Sequence, residues 1–179
     1  MTAKELIDAK PQVTSLVTSK SEGKKTVAPK NTAKKNTGKN RRKSRELVLK
    51  AVYRGMLNES DLASVYRDMA EDPDYNKADE SYFKSLLESV TSHVTELDEK
   101  MKNFIDRNLA ELSPVEHAIL RISGCELMFD MSIPYRVVIN EGVELAKIYG
   151  GTDGHKYING VLDKLAADVR AAEVKNIKN

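Results

Sequence analysis

The chain has 179 residues with 29 Lys/Arg, 27 Asp/Glu, three His and one Cys. Its charge is divided: residues 1–45 hold 13 Lys/Arg against 3 Asp/Glu and residues 46–179 hold 16 against 24, so a segment of net +10 joins a body of net −8. A lone cysteine excludes an intrachain disulfide, no run reaches the roughly 18 apolar residues of a membrane span, and the start Met1-Thr2-Ala3-Lys4-Glu5 lacks the order of a secretory signal, which leaves a cytoplasmic protein with one domain of roughly 100–150 residues.

Residues 1–39 are dominated by Lys, Thr, Ser, Asn, Ala and Gly. They carry too few large apolar side chains to offset the entropy of ordering them, which predicts a disordered basic extension ahead of a domain over 40–179. From there Leu47, Val48, Ala51, Val52 and Met56 recur at three- and four-residue steps, marking a helix whose first turns are Arg41-Arg42-Lys43-Ser44-Arg45. Ser60 is placed to cap a short helix carrying Leu62, Val65, Tyr66 and Met69. Pro73 then interrupts, and Asp79 opens a longer helix with Tyr82, Phe83, Leu86, Leu87, Val90 and Val94 inward. A further helix from Thr95 carries Leu97, Met101, Phe104 and Ile105.

Ser113-Pro114-Val115-Glu116 is the clearest local signal: a Ser N-cap, Pro at the first helical position and Glu three residues after the cap, ahead of Ile119, Ile122 and Leu127. Ile133-Pro134-Tyr135 restarts the chain into Val138, Ile139, Val143 and Ala146, and Gly150-Gly151 predicts a left-handed C-terminal stop. Thr152 or Asp153 caps the last helix, with Tyr157, Ile158, Val161, Leu162, Leu165 and Val169 inward. No stretch alternates with period two long enough for a strand. The expected architecture is all-α with about seven helices.

Catalytic chemistry is not written in the chain. His93, His117 and His155 lie at no pairing spacing, and no cysteine or acidic cluster completes a metal set, so neither metal nor cofactor is expected. Gly150-Gly151-Thr152-Asp153-Gly154 follows a helix rather than a strand and reads as a capping turn, not a phosphate cradle. Cys125 reads as a small core side chain, His155 as a capping or hydrogen-bonding residue, and Glu88, Glu96, Asp98 and Glu99 as solvated helix faces. What remains is the basic run. Arg41, Arg42, Lys43 and Arg45 include three guanidinium groups, whose planar forks bind phosphate and stack on bases, and such arginine-rich segments often order only on binding RNA. Tyr157 beside Lys156 at a helix start would suit single-stranded RNA, while core packing is the competing reading for its ring.

From Asn40 onward the chain resembles the NusB family of bacterial transcription antitermination factors. The resemblance is carried by Arg41-Arg42-Lys43-Ser44-Arg45-Glu46 leading to Ala51-Val52-Tyr53, by Leu112 to Arg121, by Ile133 to Glu141, and most specifically by Asp153-Gly154-His155-Lys156-Tyr157-Ile158-Asn159-Gly160-Val161-Leu162-Asp163-Lys164. It implies two three-helix halves and a non-enzymatic protein that binds single-stranded boxA RNA of ribosomal RNA leaders with the ribosomal protein NusE and acts on transcribing RNA polymerase. On that pattern Arg41, Arg42, Lys43, Arg45, Asp153, Lys156 and Tyr157 face RNA, and Tyr53, Glu116 and Arg121 meet NusE. Two alternatives stand beside it: a homodimer that masks the RNA face, and an RNA-positioning module akin to the N-terminal domain of ribosomal RNA cytosine methyltransferases. The extension over 1–39 has no counterpart in compact family members.

Overall fold

Helices begin where a side chain or a proline deals with the amides that the first turn leaves unpaired. The computed structural model describes residues 38–58 and 61–176; of the extension expected to be disordered over 1–39, all but Gly38 and Lys39 lies outside them. Helix α1 spans Gly38–Asn58, so regular structure starts two residues before the expected boundary at Asn40. The next, α2, spans Leu62–Ala70; Asp61 caps it by accepting from the Ser64 amide at 2.8 Å, and the expected cap Ser60 is outside the described residues. Asp79 caps α3 (Glu80–Ser92) through the Tyr82 amide, as expected. Helix α4 (Val94–Met101) begins one residue before Thr95 and ends before Phe104 and Ile105, which pack on the core from the following turn.

The capping box at Ser113 is fully formed at the head of α5 (Pro114–Phe129), with both reciprocal hydrogen bonds present. Then come α6 (Tyr135–Tyr149), α7 (Gly154–Val169) and a short α8 (Ala171–Asn176). Eight α-helices and no strand are therefore found among the described residues, one helix more than expected. None is long and apolar enough to cross a membrane.

From Ala118 to Leu127 every residue of α5 except Arg121 is buried. A helix apolar on all sides has to sit at the centre of a bundle. It packs against α1 and α3 of the first half and against α6 and α7 of the second, with α4 joining the halves. Close approach in the second half needs Gly142: a Cβ there would lie 2.6 Å from Ser123 Oγ and 3.0 Å from Leu162 Cδ1. Cys125 is a core residue as expected; its thiol donates to Ser89 Oγ at 3.1 Å, and burial pushes it up to about 11, far from a reactive thiolate.

The stop after α6 differs from expectation. Gly150 is extended (φ −89°, ψ 179°), not left-handed. The glycine serves instead to let the chain turn tightly, since a Cβ would meet the Ala146 carbonyl oxygen at 2.6 Å. At the other end of the half, Arg170 is buried and turns its guanidinium back under α5. It donates to the carbonyls of Leu127 (2.7 Å), Glu126 (3.1 Å) and Asp130 (2.7 Å) and pairs with Glu173 at 3.1 Å. The Glu126 and Asp130 carbonyls also accept the amides of Asp130 and Ile133, so Arg170 adds a second donor to the last turn of α5 and to the link that follows it.

Candidate nucleic-acid interface

The core fixes the basic run residue by residue. Leu47 and Val48 are fully buried in α1, and Ser44 Oγ donates to the Asp79 carbonyl at 2.8 Å, which ties the helix to the head of α3. Arg45 follows the core, not the solvent: it is 4 % exposed, with Nε 2.9 Å from Glu126 Oε1 and Nη1 3.7 Å from Glu141. Arg42 lies on the opposite flank, half open, with a 3.4 Å contact to Glu144 of α6. Lys43 is shared by Glu46 (2.6 Å) and Asp74 (3.0 Å), and these two carboxylates raise its pKa. Arg41 lies over the ring of Tyr82, 4.8 Å from its centroid. Three of the four expected cations are thus at the surface and one is inside.

The second expected group sits at the start of α7. Asp153 and Lys156 pair at 2.8 Å and are both largely exposed, whereas Asp153 makes no side-chain cap bond. Tyr157 is half-buried against the core, with the Arg107 guanidinium 4.5 Å over its ring, beside a shallow concavity of about 230 Å³ that Lys156 and Lys164 also line. One route for stacking on Tyr157 is therefore already taken by an arginine. The two groups are connected through α6, whose Glu144 and Tyr149 meet Arg42 and Glu46 of α1 just before the chain turns into α7.

Of the expected partner-contacting residues, Tyr53 is exposed on α1, Glu116 closes the capping box against Gly154, and Arg121 is half-buried. Arg121 also lines a groove of about 340 Å³ with Val52, Met56, Leu62 and Val94. Its guanidinium holds Asp98 with two bonds, 2.9 and 2.6 Å, and His117 Nε2 stands 2.8 Å from the same carboxylate. Asp98 is therefore not the solvated residue that its sequence surroundings suggest. Burial alone would raise its pKa, but Arg121 and His117 hold the carboxyl well below the ordinary range. A carboxylate with a depressed pKa stabilises the fold above its unfolded pKa of about 4 and loses that contribution as pH falls through the folded value. Arg121→Ala is expected to cost about 2 kcal/mol at pH 7, with the difference from wild type shrinking below about pH 4, as read by urea unfolding across pH.

The pattern of the NusB family matches residues 42–167. The chain belongs to the NusB family. The transcription antitermination protein NusB of Methylobacillus flagellatus is 58 % identical over 136 residues, covering 76 % of this chain and 88 % of that protein. T. maritima NusB shares the fold with a TM-score of 0.66 at 25 % identity, covering 75 % of this chain and 96 % of the other. A further similar chain comes from a crystal structure of antitermination factors NusB and NusE in complex with dsRNA, with a TM-score of 0.63, 24 % identity and coverage of 72 % and 97 %. NusB-family membership makes the chain a transcription antitermination factor and not an enzyme.

Within this NusB-family fold, Tyr82, expected only as an inward residue of α3, and Glu126, for which no role is expected, hold the arginine-rich turns. Burial pushes the Glu126 carboxyl up to about 7 against the opposing pull of Arg45. The available signal was a lone acid inside the otherwise apolar Gly124-Cys125-Glu126-Leu127, since a charge in such a run demands a partner.

Proposed function

We propose that the chain binds single-stranded boxA-type RNA of ribosomal RNA leader transcripts together with NusE, and that the pair supports processive transcription by RNA polymerase in the cytoplasm. The observation that carries the reading is a core-anchored helix start that offers Arg41, Arg42 and Lys43 to solvent on a body of net −8. Asp153 and Lys156 extend this face through α6, and Tyr53, Glu116 and Arg121 are assigned to NusE. A NusB with this fold stands in the complex of antitermination factors NusB and NusE with dsRNA, which supports NusE and RNA as the classes of partner.

With Arg45 withdrawn into the core, Arg41, Arg42 and Lys43 are the three cations of the basic run left for phosphates. Each single-strand contact contributes roughly −0.7 to the slope of log affinity on log salt, so this segment should give a slope of about −2. Titrating labelled boxA-like RNA at several salt concentrations, with and without NusE, measures it. Arg42→Ala should flatten the slope by roughly 0.7 and weaken binding to all RNA sequences alike. A slope near zero, or equal affinity for unrelated duplex DNA, would remove the proposal.

A further inference from the structure

The arginine-rich turns rest on one aromatic ring. Arg41 and Arg45 are four residues apart, which places them on the same face of α1, and the carbon centres of both guanidinium groups lie over Tyr82 of α3, at 4.8 and 5.3 Å from its centroid. The ring is itself fixed: its hydroxyl donates to Glu126 of α5, the same carboxylate that holds Arg45 Nε. The Tyr82 amide is bound by the Asp79 cap, and Asp79 in turn receives Ser44 of α1 through its carbonyl. Tyr82 is thus held at its backbone and at its far tip. Arg41, by contrast, has the ring as its one described partner and keeps part of its surface open.

We infer that Tyr82 is a positioning residue for RNA binding, a platform that holds the Arg41 guanidinium flat and aimed outward while Arg45 and Glu126 lock the platform from below. This rests on the reading of α1 as the RNA-contacting helix. A guanidinium laid on an aromatic face keeps its edge N–H groups free for phosphate or base acceptors, so the stack orders Arg41 without consuming its donors. Holding a long side chain in its bound geometry reduces the rotamer entropy lost on association. Arg42, paired at its periphery with Glu144, has no such support and acts as a point of attraction.

The test uses the full chain with NusE and a labelled boxA-like RNA. Tyr82→Leu, which keeps apolar bulk and removes the ring, should weaken binding about threefold to fivefold, and Tyr82→Phe, which keeps the ring, should stay within about twofold of wild type. Arg41→Ala should lower affinity about tenfold in the wild-type background but no more than about threefold in the Tyr82→Leu background, because the two act as one unit. Multiplicative losses in the double variant would overturn the inference. If Tyr82→Leu does not fold, the Arg41 Nε–H resonance of wild type decides: a ring-current shift absent from Arg42 supports the platform, and identical environments for the two arginines refute it. Failure of wild type to bind RNA at all would overturn the RNA reading, and the platform's role with it, while leaving the Arg41 resonance shift in place.

Discussion

Arg170→Ala should destabilise the protein by about 3–5 kcal/mol, enough to lower the thermal midpoint by more than 10 °C for a domain of this size. The side chain is almost fully enclosed, so truncation has two separate costs. It strips donors from the Glu126, Leu127 and Asp130 carbonyls, which water cannot easily reach, and it leaves Glu173 without its 3.1 Å partner. Lysine should rescue only part of the loss, because one ammonium cannot reproduce a planar fork that reaches four carbonyls from three nitrogens. Denaturant unfolding of the alanine and lysine variants gives the comparison. A change under about 1 kcal/mol for Arg170→Ala would mean that α5 ends without help from α7.

A second large effect is expected at Arg45, and it separates two residues that look equivalent in the sequence. Arg45→Ala takes the cation and its Nε hydrogen bond from a buried Glu126, which can then take up a proton, a loss of about 2–3 kcal/mol. Arg42→Ala breaks a half-exposed pair and should change stability by under about 1 kcal/mol. The reverse order is expected for the salt slope of RNA binding, where Arg42 should matter and Arg45, per folded molecule, should not. The pH dependence gives a further check. Glu126 has a folded pKa raised to about 7, so its contribution is fully present below an unfolded pKa of about 4.3 and declines as pH rises through 7. Glu126→Gln should remove that decline from the stability profile.

What was legible in the sequence was local. Ser113, Pro114 and Glu116 form their cap within four residues, and Asp79 caps α3 by the same short-range logic, so both helix starts could be located from composition alone. The all-α class followed from apolar spacing that repeats in every segment. The environments of Arg45, Asp98 and Arg170 are not legible locally, because their partners stand 81, 23 and 43 residues away in the chain. A guanidinium looks the same in sequence whether it meets water or a buried carboxylate. At Gly150 the sequence locates the stop but not its cause, since the constraint is steric contact with Ala146, which no sequence pattern distinguishes from a left-handed turn.

Because α1 is packed into the core from Ser44 onward, the backbone bearing Arg41, Arg42 and Lys43 is already helical before any ligand arrives. The segment does not have to fold on its target. Encounter with RNA should accordingly be a single kinetic phase whose rate follows ionic strength and is indifferent to helix-promoting cosolvents such as trifluoroethanol at low concentration. The heat-capacity change on binding should stay small, since no apolar surface of α1 is left to bury by coil-to-helix ordering.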